Sequence, residues 1–335
     1  MNDFITNRSD IVVLFDAKNC NPNGNPLSPN NEPRRDSVTG KAEVTSGRIK
    51  RYLRDQMYED GNQILVLKPS QYDADKTLNL DELWTLIQQE HPEVYTDEDD
   101  DNQEVNLDMV KDVLMDVRFF GSVFAEIKDI NAMRGAIQFQ IGQTLHRTRI
   151  NDETRSITGV ASTGDSDEGG DGGAMGTDVR LRYGLFAVNG SINEQVGQNN
   201  RVTLNDIKYF DKLVWKALLT QTHSNSKVGQ KPRGYIRVEY NTDGFQIQNL
   251  SEYIKMNLTE VDSDEELNSI SEYTIDITNL YEVLTEHSEH INKIVVNEDY
   301  SATFECNGTE QSISEALSHT DYSVETVNAF ESGDT

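Results

Sequence analysis

Seven of the thirty basic side chains in this 335-residue protein, Arg34, Arg35, Lys41, Arg48, Lys50, Arg51 and Arg54, fall between positions 34 and 54. The formal net charge is -28, so cations gathered in one short stretch run against the chain's trend and need a reason. The chemistry open to such a cluster is electrostatic: guanidinium and ammonium groups hold phosphate oxygens, and asparagine side chains and backbone N–H groups add neutral donors. Asn21, Asn23 and Gly24, just upstream, are of that neutral kind. The competing reading is a solvated helix whose arginines pair with Asp36, Asp55 and Glu59.

Other chemistry finds little support. The six histidines (His91, His146, His223, His287, His290, His319) form no HExxH and no Cys/His pattern, and no serine nucleophile elbow is present. His287 and His290 could share a helix face, but with only Glu286 and Glu289 beside them they read as solvated surface. Cys20 and Cys306 are far apart and read as free thiols. The acidic run at 97–101 lacks the glycine-marked alternation of a calcium loop. No cofactor and no metal is expected.

The elements that must position the basic cluster are a strand and a helix. Ile11 to Phe15 is an unbroken apolar run rich in β-branched residues, which suits a strand buried on both faces. The loop after it holds Pro22, Pro26, Pro29, Pro33 and Asn23-Gly24, so its backbone is stiffened at several points. From Thr45 a helix is expected, with Ile49, Leu53 and Met57 on one side and Lys50, Arg51 and Arg54 on the other.

The run FDAKNCNPNGNP, then Arg34-Arg35-Asp36, then the helix around Thr45-Ser46-Gly47-Arg48-Ile49-Lys50-Arg51, resembles the N-terminal signature of the CRISPR-associated backbone subunits of type I Cascade complexes, subtypes I-B and I-C. Asp116-Val117-Arg118-Phe119-Phe120-Gly121 is similar to a second element of that family. There Gly121 permits a close backbone approach, and Phe119, Phe120 and Phe124 pack the core.

Further along, Ile64 to Leu67 reads as a short strand and Leu80 to Gln89 as a helix. The stretch 135–145 alternates Ile137, Phe139 and Ile141 with Gln138 and Gln140, a half-buried strand whose polar face, with Gln143, could meet sugar or phosphate. His146, Arg147 and Arg149 follow, and then a glycine-rich acidic segment, 159–176, reads as mobile. It is no phosphate-cradling loop, because no Gly-Lys-Ser/Thr is present. The resemblance places a long hairpin here, the thumb, which reaches over the guide RNA; Met175, Arg180 and Arg182 mark its return. Leu185 to Val188 reads as a strand bent at Asn189-Gly190. Thr203 caps a helix to about Leu219, and a basic loop with Lys227 and Arg233 leads into the strand Tyr235 to Tyr240. A helix at 280–291 and a hairpin from Ile294 to Phe304 close the chain.

Charge divides unevenly. Residues 1–80 carry eleven basic and eleven acidic side chains, residues 81–116 one and thirteen, residues 117–240 sixteen and thirteen, and residues 241–335 two and twenty-one. The global excess of acid would repel nucleic acid, but the parts that carry the resemblance are neutral to slightly basic. With a pI near 4.5 and mean hydropathy of -0.64, the composition looks like that of proteins from cytoplasms at molar salt, and a haloarchaeal source is expected. No stretch approaches the ~18 apolar residues of a membrane span, and the N-terminus lacks a signal pattern, so a cytoplasmic location without membrane contact is expected.

The fold implied by the resemblance is α+β: a modified RNA-recognition-motif (ferredoxin-like) palm with an inserted thumb hairpin and finger or helical elements. Residues 1–70 and 117–240 would form the RNA-binding palm, with 146–183 as the thumb-like insertion, 71–116 as an acidic insertion and 241–335 as an acidic C-terminal region. The function implied is a non-catalytic scaffold that binds CRISPR RNA and stacks head-to-tail with further copies of itself, beside other Cascade subunits, so that target DNA pairs with the guide. Alternatives are an acidic protein-interaction module without RNA, or a metal-dependent RNA endonuclease of the type III backbone kind using Asp16, Asp36 or Asp55. The RNA contacts expected are Asn21, Asn23, Gly24, Arg34, Arg35, Arg48, Lys50, Arg51, Arg54, Gln138, Gln143, His146, Arg147, Arg149, Met175, Arg180, Arg182, Lys227 and Arg233.

Overall fold

The apolar run that begins the chain becomes the centre of a sheet. In the computed structural model, which describes residues 3–28, 31–68, 71–72, 78–95, 105–122, 132–151, 155–158, 175–220 and 226–330, β1 spans Ser9–Cys20, and Ile11 to Phe15 are at most 3% exposed. The short β2 (Glu43–Val44) precedes α1 (Ser46–Glu59), which Thr45 caps by accepting from the Arg48 N–H.

Helices α2 (Leu80–Glu90), α3 (Leu107–Val113) and α4 (Met115–Phe120) bury Leu83, Trp84, Ile87, Val110 and Val117 in or beside a small core of their own. The pair β3 (Gly121–Ser122) and β4 (Met133–Arg134) follows. Gly121 ends α4 with φ of 75°, and a Cβ there would stand 2.1 Å from the Met133 carbonyl oxygen, so only glycine fits the expected close approach. Strands β5 (Ile137–Phe139) and β6 (Gly142–Thr144) come next, then the pair β7 (Arg155–Thr158) and β8 (Met175–Asp178), and then the long β9 (Leu181–Ile192). After α5 (Glu194–Asn199), α6 (Leu204–Leu219) opens with a Thr203/Asp206 capping box. Strand β10 (Gln230–Tyr240) completes the centre.

The C-terminal part adds β11 (Lys255–Leu258), β12 (Tyr273–Asp276), α7 (Thr278–Glu286), β13 (Ile291–Glu298), β14 (Phe304–Cys306), β15 (Thr309–Glu310), α8 (Ile313–Ala316) and β16 (Ser323–Thr326). Among the described residues the main sheet runs β16-β13-β10-β1-β9-β6-β2, with β5 also on β9. It is antiparallel except where β13 and β16 lie parallel. One face packs on α1 and α6 and the other on the four-stranded sheet β11-β12-β14-β15 with α7 and α8, so the fold is α+β in layers.

Several sequence expectations need correction. Residues 64–67 form no strand, because the Leu65 and Val66 N–H groups donate to the Asp116 carboxylate at 2.8 and 3.3 Å instead of to a neighbouring strand. The alternation at 135–145 breaks between β5 and β6: Phe139 pairs with Gly190 and Gln143 with Ala187, so four steps oppose three. That bulge shifts the inward parity, burying Gly142 and Thr144 and leaving Ile141 58% exposed. Asn189-Gly190 is not a bend but lies inside β9, with the Phe139 ring against Gly190 and the Asn189 amide donating to Ser251 Oγ at 2.8 Å. The C-terminal helix ends at Glu286. Residues 294–304 are not a hairpin: β13 stays in the main sheet, whereas β14 crosses to lie parallel to β12. Cys20 and Cys306 are free thiols, as expected. The acidic run at 97–101, Phe124, His223 and residues 159–174 of the glycine-rich segment lie outside the described residues.

Candidate nucleic-acid interface

The loop after β1 is fastened by asparagines used as fixed connectors. The Asn23 side-chain oxygen accepts from both the N–H and the hydroxyl of Thr45, each at 2.9 Å, and its Nδ2 donates to the Gly24 carbonyl. Gly24 bridges Pro33. The Asn21 amide donates to the Asn31 carbonyl at 2.7 Å, and its main-chain N–H donates to Ser226 at 2.7 Å. Tyr52 of α1 donates its hydroxyl to the Pro22 carbonyl at 2.6 Å. Both asparagines are buried, and these bonds tie the described parts of the loop to α1 and to Ser226.

Those basic residues divide by whether a carboxylate neutralises them. Arg51 pairs with Asp55 at 2.8 Å and donates to the Val66 carbonyl. The Arg51–Asp55 contact has charge proximity without hydrogen-bond alignment, since both atoms lack a well-angled partner. Arg54 Nε donates at 2.8 Å to Asp116, which is fully buried and also receives two backbone N–H groups. These two follow the ion-paired reading, although Arg54's partner is Asp116 rather than a residue of the helix itself.

Arg34, Arg35 and Arg48 do not. Among the described residues none of them has a carboxylate partner; elsewhere Arg8, Arg118, Arg201 and Arg237 are paired, and Arg134 and Arg182 are not. Arg34 is half-buried with its Nε unpartnered, Arg35 is exposed, and the Arg48 guanidinium stands 5.9 Å from the centre of the Tyr52 ring. In a chain with nearly twice as many acids as bases, leaving these cations uncompensated is informative.

Lys227 joins them from the other side of the loop. Its ammonium donates to the Asn21 carbonyl, and burial, with the Arg48 guanidinium adding to it, lowers its pKa to about 8. Beneath it the Cys20 thiol is pushed up to about 12 by burial, while Lys227 and Arg180 pull the other way. Arg180 pairs with Asp178 and donates to the Asn19 carbonyl at 3.1 Å; Arg182 is half-buried with no carboxylate partner among the described residues. Met175 lies in β8.

A second group lies along β5, β6 and the segment after them. Lys50 donates to Gln138 Oε1 at 2.7 Å and stands 5.6 Å from the Phe120 ring centre; burial and then Arg54 lower its pKa. Gln143 donates to Glu43 at 3.0 Å. Arg147 grips Asp264 at 2.8 Å, and Arg149 grips Glu265 at 3.2 Å, both arginines remaining about half exposed. Sequence reasoning missed these two carboxylates, which lie more than a hundred residues downstream with no local signal.

Two expected contacts are enclosed. His146 is 4% exposed, with Nδ1 on the Arg147 and Asp264 carbonyls and Nε2 accepting from the Leu185 N–H; burial lowers its pKa, so the ring is neutral. Arg233 is 8% exposed and spends its guanidinium on Asp16 at 2.6 Å, on Asp299, and on Ser301 at 2.7 Å. Burial pushes the Asp16 carboxyl up against the pull of Arg233. Of the other acids a metal nuclease would need, Asp55 is taken by Arg51 and Lys68, and Asp36 holds its own turn through Val38 and Thr39. Among the described residues no three His, Cys, Asp or Glu converge on a metal position, and no helix is long and apolar enough to cross a membrane.

The surface offered is therefore an asparagine-pinned loop carrying uncompensated cations, suited to phosphate oxygens rather than to base edges. A family model described as "CRISPR-associated protein Cas7" matches residues 7–278. A curated relative of the same description from Haloferax volcanii, a halophilic archaeon, is 33% identical over 308 residues, covering 87% of this chain and 86% of its own length. The solved "CRISPR RNA-guided surveillance complex, pre-nicking" contains a chain with 17% identity and a TM-score of 0.47, over 90% of this chain and 96% of that one. A "CRISPR RNA-guided surveillance complex" gives 16% and 0.46, over 88% and 90%. At those scores the two structures are a likeness without further weight.

Proposed function

Because this chain belongs to the CRISPR-associated Cas7 family, we propose that it is a non-catalytic backbone subunit of a type I, I-B- or I-C-like, CRISPR effector, binding guide RNA in the cytoplasm. The observation that carries this reading is the set of uncompensated cations Arg34, Arg35, Arg48 and Lys227 around one loop of a chain with net charge -28. Guanidinium groups there hold phosphates and leave the bases free to pair with target DNA. Asn21, Asn23, Gly24 and His146 fix the backbone that presents them, Arg51, Arg54 and Arg233 lock the surrounding elements, and Lys50, Gln138, Gln143, Arg182 and Met175 extend the contact surface. Arg147, Arg149 and Arg180 exchange a carboxylate for a phosphate when RNA arrives.

On this reading residues 1–70 and 117–240 are a palm related to the RNA-recognition motif, 146–183 a thumb, 71–116 an acidic insertion and 241–335 a flanking acidic region. Copies line the guide head-to-tail with the other subunits of the complex. At molar salt the Debye length is ~3 Å, so direct hydrogen bonds to phosphate carry more of the affinity than long-range attraction.

The test is single-stranded RNA binding by the full chain at several salt concentrations. Replacing Arg34, Arg35 and Arg48 with glutamine should weaken binding and flatten its salt dependence by about two to three ion releases, with the thermal midpoint unchanged. Unchanged RNA affinity in that variant contradicts the proposal.

A further inference from the structure

Lys227 is held by a carbonyl where five other lysines are held by carboxylates. Its side-chain nitrogen donates to the main-chain oxygen of Asn21, and among the described residues no carboxylate pairs with it. Lys68, Lys111, Lys216, Lys231 and Lys293 pair instead with Asp55, Asp108, Asp60, Asp299 and Glu325. A carboxylate stabilises the charged ammonium, whereas a carbonyl accepts one N–H and leaves the lone pair of a neutral amine free to react. Burial, with the Arg48 guanidinium adding to it, lowers the Lys227 pKa to about 8, so near neutral pH about a tenth of it is neutral amine, against less than about a thousandth at the usual value near 10.5. The Cys20 thiol, the other titratable group that faces it, is pushed up to about 12 and stays protonated, so no anion there restores the ammonium.

The neighbouring residues supply an anion site beside that amine. Arg34 and Arg48 have no carboxylate partner among the described residues, and hydrogen bonds tie both to the loop that holds Lys227. Ser226 accepts from the Asn21 N–H at 2.7 Å, and the Arg34 N–H donates to the Asn23 carbonyl at 3.0 Å. The Asn23 side chain accepts from Thr45, which accepts from the Arg48 N–H. Guanidinium groups hold phosphate oxygens through paired, charge-assisted hydrogen bonds. A desolvated lysine next to another cation is an activated nucleophile, and here that cation also attracts a phosphate-bearing electrophile. Lys50 gives the contrast within the same helix. Burial lowers its pKa too, but its nitrogen donates to Gln138, and Arg54, the cation beside it, is neutralised by Asp116.

We propose that Lys227 is an acylation site, modified directly by small acyl phosphates whose phosphate group is held by the neighbouring uncompensated arginines. The lone pair of the Lys227 nitrogen attacks the acyl carbon and forms an amide. The bond from that carbon to the phosphate oxygen breaks, its electron pair leaves with inorganic phosphate, and the proton displaced from nitrogen passes to water. The product is neutral, so the cluster loses one cation and gains an acyl group where a phosphate of RNA would lie. RNA in place covers the amine, and modification is confined to chains without RNA. The acylation itself stands on Lys227 and the arginines; its effect on RNA rests on the guide-RNA reading above.

The experiment incubates the full chain, freed of RNA, with acetyl phosphate and follows each lysine by mass spectrometry of its peptides. Lys227 should be acetylated at least about tenfold faster than Lys50 and than the exposed Lys18, Lys208 and Lys255. Excess inorganic phosphate and Arg48→Gln should each slow Lys227 while leaving Lys50 unchanged, and acetic anhydride, which carries no phosphate, should prefer Lys227 less. Lys227 reacting no faster than the exposed lysines would overturn the proposal, as would a preference that neither inorganic phosphate nor Arg48→Gln reduces. Single-stranded RNA added first should protect Lys227, and the acetylated chain should bind RNA several-fold more weakly, with the salt dependence reduced by about one ion release. Selective, phosphate-sensitive acetylation without RNA protection and with unchanged RNA affinity would uphold the acylation site and overturn instead the place of Lys227 in the guide-RNA reading.

Discussion

The side-chain oxygen of Asn23 accepts from both the N–H and the hydroxyl of Thr45, 2.9 Å each, so one amide ties the proline-rich loop to the first turn of the basic helix. Thr45 in turn accepts from the Arg48 N–H. The position of the Arg48 guanidinium is thereby coupled to the loop through two hydrogen bonds. Replacing Asn23 with alanine should leave the Thr45 N–H unsatisfied and cost about 1–3 kcal/mol in chemical denaturation. RNA affinity should fall as well, although Asn23 itself offers no exposed donor.

Arg48 and Arg54, on one helix, should behave oppositely. Arg48→Gln should weaken RNA binding with the unfolding midpoint unchanged. Arg54→Gln strips its charged partner from the buried Asp116 and should cost roughly 3 kcal/mol of stability. Thermal melts beside binding isotherms for the two variants decide this.

Lys227 makes the interface sensitive to pH. Its folded pKa is lowered to about 8, so its charge, and its share of RNA affinity, should fade as pH rises through that value. Stability should move the other way: between about 8 and the ordinary lysine value near 10.5 the unfolded chain holds more protons, so this group's contribution to stability rises with pH. Lys227→Arg should remove the fade in affinity, as read by binding titrations on either side of pH 8.

Arg233 should act on folding. Its guanidinium lies between Asp16 and Asp299 inside the protein, and Arg233→Gln should lower stability by about 3–5 kcal/mol. RNA affinity, measured on the folded fraction, should change little. A large affinity loss at unchanged stability would return Arg233 to the binding surface.

Where local rules govern, the sequence was readable. Thr203 caps the helix it was expected to cap, the helix expected from Thr45 begins beside it, and Ile11 to Phe15 form the central strand, because caps and apolar runs act over a few residues. Reading failed where a distant partner decides. Residues 64–67 are apolar enough for a strand, yet Asp116 takes their N–H groups. Asn189-Gly190 carries a turn signature, yet Phe139 and Ser251 hold it straight within β9. The same limit applies to the interface. Seven clustered cations were visible in the sequence, but that Arg54 is neutralised depended on Asp116, whose position only the fold supplies, and outside the cluster Asp264 and Glu265 do the same for Arg147 and Arg149.

The most direct measurement is to purify the protein from the cells that make it, at the salt concentration found inside those cells, and sequence the nucleic acid that comes with it. The account predicts discrete small RNAs with repeat-derived ends, lost when Arg34, Arg35 and Arg48 are replaced together. Intact, folded protein carrying no RNA would contradict it and turn attention to an acidic protein-interaction module.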